Sequence, residues 1–224
     1  MNTERRKLLG LGAVATGALV LGACKREDAK ETMDVLPVED LMREHGVLRR
    51  ILLVYDACAL RLETGQDLSP DALTRAADIV RRFVEDYHER NEEEQIFPRF
   101  ERAHAREPLV RVLREQHQVG RRLTDAIAAT TLRTFKDENA TNRLVSNMRM
   151  FRHMYEAHAA REDTVLFPDV RKIVSAREYD AMGDQFEDDE KKRFGEGGFE
   201  QIVSQVAAIE RDVGIDDLAA ATPS

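Results

Sequence analysis

The sequence predicts an all-α protein: an up-down-up-down four-helix bundle followed by a C-terminal helical extension. Four long segments carry apolar residues at the 3.6-residue period of a helix, and short polar or Pro-containing breaks separate them. Charged residues make up 34% of the 224-residue chain and aromatic residues only 6%, which is typical of helices with solvated outer faces. Long helices joined by short connections pack as antiparallel neighbours.

The bundle is predicted to span residues 38–173. Ser69-Pro70 is a good helix start, and Pro98 and Pro168 are expected to end or kink the second and fourth helices. Residues 174–224 are predicted to form the extension, with helices at about 176–193 and 198–211 and a polar tail. The predicted bounds of the four bundle helices are 38–63, about 70–103, about 107–131 and about 141–173.

The first 23 residues have the pattern of a secretory signal peptide, with a basic start followed by an apolar run. Arg5-Arg6 resembles a twin-arginine export signal, although an ordinary basic start would look similar. The letters "LGAC" resemble a bacterial lipobox, in which Cys24 is lipidated; plain cleavage near Ala23 is the alternative. Residues 24–37 would then be the lipidated Cys and its tether.

These features predict an exported protein that is anchored at the periplasmic face of a bacterial cell envelope. Removing residues 1–23 takes away Glu4 and three basic residues, so the net charge changes from −8 to −10. Such an acidic chain argues against nucleic acid as a partner. Cys58 lies in an apolar stretch and is expected to be a buried thiol.

One skeleton occurs twice: "HERNEEEQIFP" from residue 88 and "HAAREDTVLFP" from residue 158. Each has His, then Glu four residues later, then Phe-Pro. On a helix, residues four apart lie on the same face, so His88 and Glu92 share one face, as do His158 and Glu162. Imidazole and carboxylate together suit iron, manganese or zinc, and a carboxylate can bridge two ions. The Phe-Pro pair is expected to stop each helix.

His45 and His117 lie on the apolar stripes of the first and third helices. A single His in such a stripe is more often a hydrogen-bonded core residue, but one on each of four helices indicates a shared metal site. Glu93 and Glu94 are interpreted as outward charges, and His104 and His153 as outside the site. Glu89 is ambiguous, because it lies about 100° from His88 around the helix.

These six residues, in this order and spacing, resemble the hemerythrin-like cation-binding family over about residues 38–173. The resemblance implies a non-haem di-iron centre in which Glu92 and Glu162 bridge two iron ions and the four His bind them. Glu89 resembles a further carboxylate ligand found in part of the family. The chain departs from the oxygen-carrying members, because Arg121 replaces a second His on helix three and His158-x3-Glu162 replaces His-x4-Asp. Reversible oxygen carriage is therefore not expected.

The resemblance favours binding or sensing of O2, NO or an oxidant by the di-iron centre. A di-iron redox enzyme, acting as a peroxidase, an oxidase or an NO reductase, is one alternative, and an iron-handling protein is another. The expected partners are a small diatomic ligand or oxidant and, through the lipid anchor, a membrane.

If the signal is of the twin-arginine type, replacing Arg5-Arg6 by Lys-Lys will block export of the folded chain. The measurement is the distribution of the protein between cytoplasm and envelope after cell fractionation. Unimpaired export of the double variant would show that the two arginines act only as an ordinary basic start.

Overall fold

The computed structural model describes residues 36–131 and 137–222. The described residues form six helices and no strand, in agreement with the all-α prediction. The predicted signal peptide at 1–23, Cys24 and most of the tether at 24–37 lie outside the described residues. Within the part that is described, no helix has both the length and the apolar character needed to cross a membrane.

The first helix, α1, spans Pro37–Glu63, within one residue of the prediction. Pro37 stands in its first turn, where a missing N–H costs nothing. Glu39 and Asp40 are also in that turn, where acidic side chains interact favourably with the positive end of the helix dipole. The inward face of α1 carries His45 in a row of buried apolar side chains.

The second helix, α2, is continuous from 70 to 102, but its winding changes along its length. Pro98 does not end it, so the expectation that Phe-Pro stops the helix was wrong. The N–H of Phe97 bonds to the Glu92 carbonyl five residues back, and this wider turn shifts the register just before the proline. The segments are α-helical Pro70–Ile79, π-helical Val80–His88, α-helical Glu89–Asn91, π-helical Glu92–Ile96 and α-helical Phe97–Arg102.

The third helix, α3, spans Glu107–Thr131 as predicted. The fourth, α4, runs from α-helical Glu138–Arg161 through π-helical Glu162–Leu166 to α-helical Phe167–Ile173. It begins three residues earlier than expected because the Asp137 side chain accepts hydrogen bonds from the N–H groups of Asn139 and Ala140. Pro168, like Pro98, follows a π turn and does not end its helix.

The extension contains α5 at Ala176–Phe194 and α6 at Gly198–Asp212, with a short 3-10 turn at Leu218–Ala221. Ser175 and Glu178 form a reciprocal capping box at the start of α5. Gly195 and Gly197 take positive φ values between the helices, a conformation that favours glycine. Buried residues of α6 join the bundle core beside α1 and α2.

The bundle core consists of two apolar clusters with a layer of polar side chains between them. One cluster includes Leu48, Phe83 and Phe151, and it extends to α6. The other includes Phe97 and Phe167 and extends to α5. The described histidines of the predicted site lie between these clusters along each helix, so the fold places them at the dry centre of the bundle.

Gly120 of α3 lies against the hydroxyl of Tyr155, which would be 1.9 Å from a Cβ added at this glycine. We expect Gly120→Ala to displace Tyr155 and to lower the free energy of unfolding by about 1–3 kcal/mol. Urea unfolding followed by circular dichroism measures this loss.

Gly46 is the matched control, because an added Cβ there meets no atom within 4 Å. Gly46→Ala should leave stability unchanged or raise it by about 0.5–1 kcal/mol, since Ala favours a helix more than Gly does. Equal effects of the two substitutions would contradict the packing argument.

Candidate metal centre

Six polar side chains meet at the centre of the bundle, and each is at most 3% exposed. All six were predicted from the sequence. They come from all four bundle helices, so the site depends on the complete bundle. They are His45 on α1, His88 and Glu92 on α2, His117 on α3, and His158 and Glu162 on α4.

The repeated skeleton builds the same local structure twice. The main-chain carbonyls of Glu92 and Glu162 each accept a hydrogen bond from the N–H group five residues later, and each bond forms a π turn. The Phe that follows each turn stacks on an imidazole from another helix: Phe97 on His117 and Phe167 on His45, both with ring centroids 5.5 Å apart. The repeated spacing from His to Glu to Phe therefore places one histidine of each skeleton in the site and packs the Phe on a histidine of another helix.

The donor atoms fall into two overlapping groups that share Glu92. One group is His45, His88 and Glu92. The other is Glu92, His117, His158 and Glu162.

Glu92 presents one oxygen to each group. Its Oε1 lies 3.5 Å from His88 Nε2, and its Oε2 lies 3.4 Å from His117 Nε2.

Glu162 also faces both groups. Its Oε2 lies 3.0 Å from His158 Nε2 and 3.3 Å from His45 Nε2. Ligand atoms that bind one ion at about 2.1 Å stand roughly 3–3.5 Å from each other, so these separations suit two metal positions bridged by two carboxylates.

The inner atoms of this layer have no protein partner to satisfy them. Both oxygens of Glu92, both oxygens of Glu162 and Nε2 of His45 are buried without a hydrogen bond. A buried carboxylate that lacks partners is costly, and metal ions would supply the missing interactions. The donor set therefore fits a dinuclear metal centre.

The two carboxylates carry unequal proton affinities in the metal-free site. Burial raises the pKa of Glu92 well above its ordinary value, and the nearby charge of Glu162 raises it further. Burial also opposes ionisation of Glu162, but His158 and His45 outweigh it and hold its pKa below the ordinary range. The metal-free site therefore favours a protonated Glu92 beside an ionised Glu162, and metal binding would displace that proton.

Each ligand histidine is held from outside through its Nδ1 atom. In the tautomer that leaves Nε2 available to a metal, Nδ1–H donates to a side-chain oxygen of a neighbouring helix. Such outer partners fix the orientation of the ring and increase its basicity as a ligand. The four pairs are His45–Asp163 at 2.6 Å, His88–Glu44 at 2.6 Å, His117–Glu93 at 2.8 Å and His158–Gln116 at 2.9 Å.

These outer partners form a closed ring around the bundle. A side chain of α1 accepts a hydrogen bond from the histidine of α2, and a side chain of α2 accepts one from the histidine of α3. In the same way, α3 supports the histidine of α4, and α4 supports the histidine of α1. The sequence analysis missed all four, and it was wrong to interpret Glu93 as an outward charge. A signal was present, because each partner is the chain neighbour of a metal-site residue: Glu44 of His45, Glu93 of Glu92, Gln116 of His117 and Asp163 of Glu162.

The structure places Glu89 on the flank of the centre. It is 1% exposed, and its Oε1 accepts a hydrogen bond of 2.5 Å from the Tyr155 hydroxyl. Arg121 lies 3.0 Å from its Oε2 and 2.9 Å from Glu93, where it balances both carboxylates. Glu89 is absent from both groups described above. It belongs with Glu93 and His117 to a third group of neighbouring donor atoms, in which its Oε2 lies 4.0 Å from Nδ1 of His117.

The remaining sequence interpretations can be compared directly with the structure. His104 and His153 are exposed, as expected, and so is Glu94. Cys58 is fully buried, and burial raises the pKa of its thiol to about 12.

Comparison with known proteins now adds to this geometry. The family model described as the hemerythrin HHE cation binding domain matches residues 36–170, more than half of the chain. The chain belongs to this hemerythrin family. The matched residues contain all six donors of the centre, so the family supports a cation-binding role for them.

Two curated relatives of this hemerythrin-family chain are Uncharacterized protein Mb2018 of Mycobacterium bovis and Uncharacterized protein Rv1995 of Mycobacterium tuberculosis. Each is 45% identical over 232 aligned positions, which cover 98% of this chain and 91% of the relative. No solved structure matches the chain.

The metal-free hemerythrin domain should lose thermal stability as the pH rises from 7 to 9. Burial lowers the pKa of His45, but the hydrogen bond to Asp163 and the nearby carboxylate of Glu162 outweigh it and raise that pKa to about 9 from the ordinary 6.5. Burial raises the pKa of Glu44 to about 8 from 4.5. The folded state therefore binds more protons than the unfolded state, and the stability associated with them is lost as they dissociate.

Thermal melts of the metal-free protein across this pH range measure the effect, and Glu44→Gln should reduce the slope because it removes one of these protons. A melting temperature that rises with pH would contradict the assignment. In the presence of metal the dependence should weaken, since metal binding requires deprotonated ligands and strengthens with pH.

Proposed function

We propose that the protein is an exported, lipid-anchored hemerythrin-family protein that holds a non-haem di-iron centre and binds or senses O2, NO or an oxidant. The observation that carries this proposal is the buried layer of four imidazoles and two carboxylates, which divides into two positions sharing Glu92. The carboxylate oxygens facing these positions have no protein partner.

The donor chemistry favours iron over zinc. Structural zinc sites are closed and four-coordinate, often with cysteine, whereas this centre contains only nitrogen and oxygen donors. Combinations of His and carboxylate with open positions are typical of non-haem iron. Manganese prefers oxygen donors still more strongly and would suit the two bridging carboxylates but not four imidazoles.

The chain's own residues orient the donors and keep water away from them. Phe97 and Phe167 cover two of the imidazoles from the same end of the bundle. The outer ring holds each Nδ1, so that each Nε2 points inward. Iron, when bound, would supply a coordination position for a diatomic ligand and would undergo one-electron oxidation and reduction. The surrounding apolar side chains would keep solvent away from the iron and its ligand.

A redox enzyme is the second candidate, and Tyr155 favours it. Its ring lies 5.3 Å from the ring of His158, and its hydroxyl donates to the buried carboxylate of Glu89. A tyrosine with an adjacent proton acceptor can give up an electron and a proton together. Sustained consumption of peroxide or NO by the iron-loaded protein would favour this function over simple binding.

The proposed location rests on the N-terminal sequence. The basic start, apolar run and "LGAC" of residues 1–24 support export and lipidation at Cys24, and the following residues to 37 would tether the bundle to the membrane. Two or more acyl chains give a stable anchor.

Iron content and the visible spectrum test the proposed centre. The full chain carrying Cys24→Ser should bind about two irons after anaerobic loading, with absorption that bleaches with dithionite and returns in air. Glu92→Gln should lose most of this iron, because it removes the shared bridging carboxylate.

Glu94→Gln is the matched control, since Glu94 lies two residues further along α2 and is exposed. It should retain the iron of the parent chain. Equal iron in both variants, or zinc in the parent chain after iron loading, would rule out the assigned centre.

A further inference from the structure

The outer ring has an internal symmetry that is broken at one residue. The α1–α2 pair and the α3–α4 pair carry equivalent ligands: His45 corresponds to His117, and the repeated skeletons correspond to each other. The outer partner that precedes His45 is Glu44, and it holds His88. The partner that precedes His117 is Gln116, and it holds His158. Three histidines are thus held by carboxylates and one by a neutral amide.

Two of the three carboxylate partners are themselves held by arginine side chains. Asp163 pairs with Arg49, and Glu93 pairs with Arg121. Tyr87 lies beside Glu44 and lowers the pKa of that carboxyl, against the larger effect of burial.

Gln116 is half-buried, and among the described residues its side chain makes one hydrogen bond, the one to His158. His158 therefore has the weakest outer support of the four ligands.

The two inner carboxylates lie near both metal positions, with Glu92 presenting one oxygen to each. Each position then has two imidazoles and one oxygen of Glu92. Glu162 approaches both positions through the same atom, Oε2, and its donor atoms group with those of His117 and His158. The positive charge of a bound metal favours the ionised form of the outer carboxyl groups, including Glu44. An ionised acceptor forms a hydrogen bond roughly twice as strong as a neutral one and draws the Nδ1 proton away from the ring, so the imidazole becomes a stronger donor to the metal.

We propose that His158 is the exchangeable ligand of the centre, and that Gln116 makes it so. The metal held by His117 and His158 then leaves and enters faster than the metal held by His45 and His88. Gln116 acts as a positioning residue, because it reaches the metal only through His158. This inference rests on the proposed di-iron function and assigns unequal roles to its two positions.

Release of iron to a chelator tests the inference. The ferrous-loaded full chain carrying Cys24→Ser is mixed anaerobically with an excess of a coloured ferrous chelator, and release is followed with time. We expect two phases of one iron each. Gln116→Glu should slow the fast phase about tenfold, as expected for a restored carboxylate partner.

Gln118→Glu is the matched control. Gln118 also adjoins His117 but is exposed, so this change adds the same charge without reaching His158. It should leave both phases unchanged. Glu44→Gln provides the mirror experiment: it gives His88 a neutral partner, and the slow phase should become about tenfold faster. Thermal melts of each metal-free variant verify that it is folded.

Each outcome is informative. Unchanged release by Gln116→Glu, or equal slowing by Gln118→Glu, would overturn the role of Gln116 while leaving the di-iron centre in place. A parent chain that takes up no iron at the start of the experiment would overturn both proposals. Release of both irons from the parent chain in a single phase would show that the two positions are equivalent and would also overturn the inference.

Discussion

Burial of four imidazoles and two carboxylates in the middle of an apolar bundle is the constraint on which the rest of this structure depends. Each group loses its hydration when the bundle closes, and each must regain equivalent interactions inside. The structure divides this task in two. The outer nitrogen of every histidine is satisfied by a neighbouring helix, whereas the carboxylate oxygens at the centre remain without protein partners. The outer nitrogens of the histidines therefore have protein partners and the inner carboxylate oxygens do not, as expected for a metal-binding protein.

The surrounding apolar structure serves this layer. The two hydrophobic clusters on either side exclude water from it, which strengthens every electrostatic interaction within it. The π turns at Glu92 and Glu162 change the helical register directly after each bridging residue, so that Phe97 and Phe167 cover histidines of other helices. π turns of this kind are frequent at functional sites, and here they explain why the two skeletons share a Phe-Pro at the same offset.

The closed ring of outer hydrogen bonds couples the four helices to one another. Each helix supplies both a ligand and the support for a ligand of the next helix, so a displacement of any one helix disturbs two histidines. This arrangement makes the geometry of the centre a property of the whole bundle. In the role that we propose for Gln116, exchanging a carboxylate for an amide at one ring position would adjust a single histidine ligand.

The sequence by itself determined the helices and the six inner donors, because periodicity of 3.6 residues and the four-residue spacing of His and Glu are local properties of the chain. Only the tertiary structure decided which residues support them. Glu93 looks like a solvated charge along its own helix, and it becomes a partner of His117 only when α3 packs against α2. The passage of α2 beyond Pro98 likewise depends on a π turn that local propensity does not predict. Contacts between helices join residues that are distant in sequence, so they form only when the bundle is assembled and cannot be read from the local pattern of one helix.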